Sequence, residues 1–546
     1  MVHAYRVPRL RFGRGRVGLA WAVGLILVVS TAVAAGVMSS AGAGGHDQHA
    51  RVRLAARIRL PASAVSVLTG APDVVAAGVA QRLFASAPVV IVASPGRRGD
   101  VAAAVGQSLR AHAPLLLTSG RASEAASGTG RRMAHTAARI AAAGSSAPGS
   151  VVSAMLRAEI RTLDPRAVLA VGVVGSVLAA ALPGIRVVTS PAMLPATRAP
   201  APAGHLALLV RRGDQRAATL AAVASARVAG ARVIPVRGDD PRADPAAIAA
   251  LATARPREVL AIGPGFGPAG GLASRISVAE TGVQLPGGGQ VLFPMRLLVA
   301  LYGDPGTPSL GVLGQQDLQA SIARARRVAA AYRALSHVPV VPAFEIIATV
   351  AQAHPGHDGN YSYESTVASL RPWVRRAKAA GMYVILDLQP GRAGLLAQAM
   401  RYRPLLRLPD VGLALDPEWK LQPGQLPLHQ IGGVSITEVN RVVRWLAGLT
   451  ARYRLPQKLL VLHQFKLSMI GNEQRLDTRH DDLAILIHMD GQGTPANKDK
   501  TWEAVFRAAP AGVFFGWKDF YVKDHPMLGP RQTIERTPRL SMISYQ

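Results

Sequence analysis

Two carboxylates separated by one residue, Asp416 and Glu418, follow an apolar run at residues 411–415. If that run is a buried strand, both side chains leave its C-terminal end on the same face, because side chains alternate along a strand. Carboxyl groups held close together raise one another's pKa, so one can donate a proton while another stays ionised. Glycoside hydrolysis uses carboxylates in this way. The sequence therefore predicts catalytic roles for Asp416 and Glu418.

Six further residues follow other apolar runs in the same half of the chain. We expect them to bind substrate around one mouth, and they are Tyr302, Glu345, Asp387, His463, Asp490 and Trp517. The tyrosine and tryptophan rings offer faces on which sugar rings can stack. Residues 354–358 contain two histidines and an aspartate, but the helical histidine spacing typical of a zinc site does not accompany them. We therefore predict neither a metal nor a cofactor.

The strands that precede these residues must hold them in place. Residues 290–546 contain apolar runs separated mostly by helix-patterned segments, and the runs are Leu297–Tyr302, Val338–Phe344, Met382–Leu386, Val411–Leu415, Leu459–Leu462, Leu483–Ile487 and Gly512–Phe515, with Leu540–Ile543 as the candidate for an eighth. Alternating strand and helix indicates a parallel sheet, and seven or eight such units form a (β/α)8-type TIM barrel. Its chemistry would lie at the C-terminal strand ends. Without the eighth run, the barrel would be incomplete or closed by the chain end.

The segment Asp416-Pro417-Glu418 resembles the fourth strand end of chitinase-like glycoside hydrolases, which reads D-x-x-D-x-D-x-E. The resemblance implies that Glu418 is the acid and that Asp416 orients the acetamido group of the substrate. It also implies substrate contacts at Asp490 and Trp517.

This sequence departs from that family pattern at two positions. Val411 and Ala414 stand where the family has its two earlier aspartates. A barrel can keep its core pattern after losing its chemistry. Two functions therefore stay open, namely an enzyme that hydrolyses or remodels a wall glycan and a non-catalytic protein that binds or scaffolds wall polymers.

Residues 60–280 have a different character, rich in alanine and almost without aromatic residues. Short apolar runs alternate with helical stretches there, which predicts an open α/β layer. Residues 164–172 and 255–263 have closely similar sequences, DPRAVLAVG and RPREVLAIG. Each follows a helical segment and an earlier strand, so we predict a duplicated α/β unit. The glycines at residues 263–267 lack the rest of a dinucleotide fingerprint, and we interpret them as a tight turn.

The same half resembles the type 2 cell-wall-binding repeats of bacterial surface proteins. The resemblance rests on Thr69-Gly70-Ala71-Pro72-Asp73 before an alanine-rich helix, on residues 113–118 (APLLLT) and on the strand and turn at residues 168–175. It implies a flavodoxin-like repeat fold and non-covalent attachment to an anionic wall polymer.

The N-terminus, residues 1–45, carries export signals. Five arginines and no acidic residue precede an uncharged apolar run at residues 17–38. Its length and arginine flank predict a span of the cytoplasmic membrane with the N-terminus inside and the bulk of the chain extracytoplasmic. Small residues at 39–43 leave open a cleaved signal and secretion to the cell wall. We therefore expect a single-pass cell-membrane protein or, after cleavage, a wall protein.

Composition narrows the possible partners and chemistries. The 546 residues include no cysteine, which excludes disulfides, thiolate metal sites, cysteine nucleophiles and a lipid on an N-terminal cysteine. The formal charge of +30 comes largely from scattered arginines, and no lysine precedes Lys378. Because these arginines are not interleaved with aromatic residues, we predict no nucleic-acid partner. Attraction to an anionic envelope surface is the expectation that remains.

Overall fold

A computed structural model describes residues 53–59, 62, 64–119, 152–202 and 204–546. The predicted membrane span at residues 17–38 lies outside these residues. Among the helices of the described ranges, none has both the length and the apolar character needed to cross a bilayer.

The alanine-rich half is a mixed α/β structure. Its elements are β1 (Arg57–Ile58), β2 (Ala64–Leu68), α1 (Pro72–Leu83), β3 (Phe84–Ser86), β4 (Val89–Ala93), α2 (Arg98–Arg110), β5 (Leu115–Leu117), α3 (Ala154–Leu163), β6 (Ala167–Val171), α4 (Gly175–Ala181), β7 (Val187–Val188), β8 (Leu206–Arg211), α5 (Ala217–Val228), β9 (Arg232–Val236), α6 (Pro245–Ala254), β10 (Glu258–Ile262) and α7 (Ala269–Ala279).

Two four-stranded parallel sheets with the same strand order, together with an antiparallel pair of β1 and β3, form this half. One sheet runs β5-β4-β6-β7 and the other β9-β8-β10-β2. The third positions, β6 and β10, belong to the two similar sequence segments, and each follows a helix that ends in a left-handed residue, Asp164 (φ 49°) or Arg255 (φ 39°). The fourth position differs between the sheets. In one sheet it is filled by β7, which follows β6 in the chain, and in the other by β2, which precedes all four strands of the first sheet. The structure is thus a duplicated α/β unit with two sheets instead of one open layer.

The second half is a barrel. Its elements are β11 (Leu297–Gly303), α8 (Leu318–Ala330), β12 (Val340–Ala351), β13 (Ser362–Glu364), α9 (Val367–Ala379), β14 (Tyr383–Leu388), α10 (Leu395–Arg401), α11 (Arg403–Leu406), β15 (Val411–Leu415), β16 (Val434–Ser435), α12 (Ile436–Arg452), β17 (Lys458–Gln464), β18 (Ile470–Gly471), β19 (Leu483–Met489), α13 (Pro495–Ala508), β20 (Phe514–Asp519), α14 (Pro530–Ile534) and β21 (Leu540–Tyr545).

Eight parallel strands close this barrel in the order β11-β12-β14-β15-β17-β19-β20-β21, and β21 pairs back onto β11. The prediction of a TIM-like parallel barrel is therefore confirmed, and Leu540–Ile543 belongs to its eighth strand. Side chains alternate between two apolar layers. Leu298 and Ala300 pack inside the barrel, whereas Leu297 and Val299 pack outside it against the helices.

Residues 281–294 close the N-terminal end of the barrel. They contain no strand, and a turn forms where the amide of Leu285 donates to the carbonyl oxygen of Gly289 at 2.8 Å. Leu292 and Phe293 pack among the inward-facing side chains of the strands. This end of the barrel is therefore filled, and the opposite end is the one available to a ligand.

The two halves meet through a buried cation. Arg242 of the α/β half has a side chain only 3% exposed, and its Nη2 lies 2.8 Å from Asp240 Oδ2 and 2.8 Å from Asp481 Oδ2 of the barrel. Arg275 Nε also lies 2.8 Å from Asp481 Oδ2. A buried guanidinium with two carboxylate partners has its charge compensated, which permits close contact between the halves.

Candidate active site

Strand alternation brings polar side chains together at the C-terminal end of the barrel. Below them, the inward positions of each strand are apolar or small, as in Ala343, Ile385 and Val461. The next inward positions are polar, and they are Tyr302, Glu345, Asp387, His463, His488, Lys518 and Ser544. All seven are buried. The period-two alternation of the strands therefore produces one polar layer on top of an apolar barrel core.

His463 lies between carboxylates in this layer. Its Nε2 is 3.0 Å from Glu345 Oε1 and 3.9 Å from Asp387 Oδ1, and its Nδ1 is 3.1 Å from Asp490 Oδ2. Burial lowers the pKa of His463, but the charge of Glu345 and the contact with Asp490 outweigh it, so the pKa is raised well above its ordinary value. The imidazole is therefore a buried cation held by acidic neighbours.

Tyr302 extends the same network. Its hydroxyl donates to Asp387 Oδ2 at 2.8 Å, and Gln389 Nε2 donates to that hydroxyl at 3.3 Å. Burial, together with the charge of Glu345, raises the pKa of Asp387 to about 6 in spite of His463. Asp387 is thus a carboxyl group that changes charge in the physiological pH range.

His488 has the opposite character from its neighbour His463. The two rings stack with centroids 5.2 Å apart, and His488 Nε2 lies 3.0 Å from Ser544 Oγ. Burial and the charge of His463 hold the pKa of His488 well below its ordinary value. One histidine of the stacked pair is therefore charged and the other neutral.

A cavity of about 380 Å³ opens above this layer. Four of the predicted residues line it: Tyr302, Asp416, Glu418 and Asp490. Three others, Glu345, Asp387 and His463, are fully buried and lie in the network that contacts Tyr302 and Asp490. The structure thus brings seven of the eight predicted residues to one end of the barrel.

Asp416 and Glu418 reach the cavity by different backbone geometries. Strand β15 ends at Leu415, and Pro417–Trp419 forms one turn of 3-10 helix. Proline has no amide hydrogen with which to continue the strand ladder, so the alternation stops at Asp416. The amide of Gly432 then donates to the carbonyl oxygen of Glu418 at 2.6 Å. A Cβ atom at Gly432 would lie 2.5 Å from that oxygen, so this close approach requires glycine.

The cavity carboxylates differ in their charge. Burial, reinforced by Asp490, raises the pKa of Glu418 to about 7, and burial together with Glu418 raises the pKa of Asp416 well above its ordinary value. Burial also acts on Asp490, but the hydrogen bond and charge of His463 outweigh it and lower the pKa. The same cavity therefore holds protonated carboxyl groups beside an ionised one.

Trp419 and Lys518 are among the cavity residues that were absent from the sequence-based set. Trp419 lines the cavity directly after Glu418, and Lys518 places its Nζ 3.4 Å from the ring centroid of Tyr302. The alternation of side chains along a strand could have predicted that Lys518 faces the cavity, because Phe514, Gly516 and Lys518 share the inward face of β20. No comparable pattern predicts the direction of Trp419, which follows the 3-10 turn.

Trp517 lies outside the cavity, in contrast to the prediction that it contacts substrate. It is fully buried on the outer face of β20, with its ring centroid 5.8 Å from that of Trp502 on α13. Its Nε1 donates to Asp519 Oδ1 at 2.7 Å. Because Lys518 points inward, both of its neighbours in sequence point outward. Trp517 therefore packs a helix against the barrel.

No family model matches this chain, and no curated protein matches it. The geometry of the cavity is therefore the basis for assigning a function.

Proposed function

We propose that the barrel hydrolyses or remodels a glycan of the cell envelope. The observation that carries this proposal is the placement of Asp416, Glu418 and Asp490 around one cavity with the indole of Trp419. Carboxyl groups of unlike charge supply the proton donor and the anion of glycoside cleavage, and an indole supplies a stacking surface for a sugar ring. Phe465 and Phe520 extend that apolar wall.

Each cavity group has a role in this reaction. Glu418, protonated near neutral pH, gives its proton to the glycosidic oxygen as the bond to the anomeric carbon breaks. Asp490, ionised beside His463, is the base that takes a proton from the attacking water. Asp416 hydrogen-bonds the substrate and orients it. Lys518 lies beside Tyr302 and limits how far the pKa of Glu418 rises.

The proposal includes an extracytoplasmic location. Residues 17–38 would span the cytoplasmic membrane, with the barrel outside it. Protease added to cells stripped of their wall should then digest the barrel while a cytoplasmic marker stays intact. Protection of both would contradict this topology.

The direct experiment for hydrolysis uses the full chain. It is incubated with peptidoglycan and with envelope polysaccharides, and new reducing ends are measured. We expect release from at least one glycan, with kcat/KM reduced in Trp419→Ala through a weaker stacking surface. The same substitution at Trp445, on the outer helix α12, is the control. Absence of release across the panel would favour the non-catalytic function.

A second candidate function, binding of an anionic wall polymer, is favoured by the α/β half. Adjoining clefts of about 450 and 290 Å³ share Arg216 as a lining residue, and Arg98, Arg211 and Arg212 also line them. The clefts lie at the C-terminal ends of β4 and β8, the strands in the second position of each sheet. Ligands of parallel α/β sheets usually bind at such strand ends. Arg216 is neutralised by Asp214 at 2.6 Å, whereas Arg98 is exposed and Arg211 has only a long, exposed contact of 3.8 Å with Asp239. Arg98 and Arg211 are therefore the groups more available to a polyanion.

Binding of purified anionic wall polymer to the full chain tests this function. Combined Arg98→Gln and Arg211→Gln should weaken binding and reduce its salt dependence, because exposed charges are screened within about 10 Å at 0.1 M ionic strength. Combined Arg507→Gln and Arg531→Gln, at two exposed positions on barrel helices, is the charge-matched control. Equal binding by all three proteins would contradict a site in these clefts.

A further inference from the structure

Apolar side chains project into solvent from the loops around the barrel mouth. Leu428 is 82% exposed, Val522 73% and Leu467 49%. They belong to the loops that follow β15, β20 and β17, three of the strands whose ends surround the cavity. Single exposed apolar residues are ordinary, but their concentration on one rim is a feature of docking surfaces.

The same loops form the apolar wall of the cavity. Ile431, Phe465 and Phe520 line it, and each lies two or three residues from one of the exposed tips. Each of these three loops therefore has one apolar residue in the cavity and another at its exposed tip.

The backbone holds one of these tips in a disfavoured conformation. Leu428 has φ of 66°, in the left-handed region that bulky residues rarely adopt. Its side chain gains almost no burial in return, because most of it faces solvent. Such a conformation at an exposed leucine is consistent with a function outside the isolated fold.

The charges of the rim indicate what covers it. An exposed lysine adjoins two of the tips, Lys466 beside Leu467 and Lys523 beside Val522, and an exposed histidine, His429, adjoins Leu428. Residues 420–433, 465–472 and 520–523 contain no aspartate or glutamate. Apolar tips flanked by basic residues are the composition that inserts into the headgroup region of anionic lipids.

We propose that the barrel mouth docks on an anionic lipid surface through Leu428, Leu467 and Val522. This inference rests on the proposed function and deepens it, because a mouth placed on a bilayer receives glycans held at the membrane surface, such as lipid-linked ones. Separate tips on three loops fit a deformable lipid surface better than a shaped protein partner.

The absence of cysteine from the sequence makes a site-specific test possible. Single cysteines are placed in the full chain by Leu428→Cys, Val522→Cys and Val283→Cys, and each is labelled with an environment-sensitive fluorophore. Val283 is 40% exposed and lies in the segment that closes the opposite end of the barrel. Each protein is mixed with vesicles of phosphatidylglycerol and phosphatidylcholine that carry a nitroxide on the acyl chain.

We expect a blue shift and quenching at positions 428 and 522, loss of both in pure phosphatidylcholine vesicles, and neither at position 283. Equal emission at all three positions would overturn the proposal. Shielding of positions 428 and 522 that increases with protein concentration in the absence of lipid would also overturn it, because it would assign the rim to self-association.

Failure of docking can be distinguished from failure of the proposed chemistry. Combined Leu428→Asn and Val522→Asn should abolish docking while leaving hydrolysis of a soluble glycan fragment unchanged. A loss of soluble-substrate hydrolysis in that variant would contradict a role confined to docking. If the wild-type chain hydrolyses no glycan, the fluorescence result still decides whether lipid binds at the rim.

Discussion

Asp490 Oδ2 lies 3.1 Å from His463 Nδ1, while Nε2 of the same ring lies 3.0 Å from Glu345 Oε1. One buried imidazole thus links a carboxylate that faces the cavity to a carboxylate beneath it. The charge of His463 keeps the pKa of Asp490 low although burial alone would raise it.

Replacing His463 should therefore change the pH dependence of activity. In His463→Asn the pKa of Asp490 rises, so a higher pH is needed to ionise it. The acidic limb of kcat/KM against pH moves to higher pH. His480→Asn, at a partly exposed histidine that pairs with Asp477, should leave the limb in place. An unshifted limb in His463→Asn would contradict the assignment of Asp490 as the ionised group.

Glu418 should destabilise the fold at alkaline pH. Its pKa is 4.5 in an unfolded chain and about 7 in the fold, so the folded state binds more protons between these values. Stability attributable to this group is full below the unfolded value and declines as the pH rises through the folded value. Glu418→Gln removes the ionisable group. Its free energy of unfolding should therefore exceed that of the wild type by on the order of 2 kcal/mol at pH 8 and by little at pH 5. Urea unfolding at both pH values measures this difference, and an equal effect at both would contradict it.

Lys498 should be essential for the stability of the barrel around Lys518, which lies on strand β20. Its Nζ donates to the carbonyl oxygen of Lys518 at 2.7 Å and to Asp524 Oδ2, and both side chains are buried. Lys498→Met leaves the charge of Asp524 without its partner, which should cost about 3–5 kcal/mol of unfolding free energy.

A double-mutant cycle provides the control for this pair. The combination of Lys498→Met and Asp524→Asn should cost less than the sum of the single changes, because the charge of Asp524 is removed together with its partner and only Asp519, 3.6 Å from Lys498 Nζ, still loses a cation. Arg507→Ala, which breaks the exposed pair with Glu503, should change stability by no more than about 0.5 kcal/mol. Additive single effects at Lys498 and Asp524 would show that they act independently.

The sequence predicted the barrel because its signal is local and repeated. Each strand is an apolar run, and β15 coincides with the predicted residues 411–415. The alternation of apolar and polar side chains is harder to recognise in β20, because both faces of this strand carry aromatic residues, namely Phe514, Phe515 and Trp517. The alternation still groups Lys518 with Phe514 and Gly516, but the closed barrel was needed to show that this face of β20 is the inward one.

Long-range pairing was beyond what the sequence could indicate. β2 pairs with β10, about 190 residues later in the chain. Because β2 thus joins the second sheet, the predicted open layer is divided into two sheets. The environment of His463 has the same origin, because Glu345 and Asp490 reach it from β12 and from the end of β19. Local patterns placed these residues at strand ends, while tertiary packing determined which of them meet.

The most direct test of the account is the rate of glycan cleavage by Glu418→Gln. The amide keeps the shape of the side chain but has no transferable proton, so the rate should fall by on the order of 10²–10⁴ with the circular dichroism spectrum unchanged. Glu503→Gln, the same substitution at an exposed position of α13, should retain the wild-type rate. A folded Glu418→Gln protein that releases reducing ends as fast as the wild type would contradict the assignment of Glu418 as the acid.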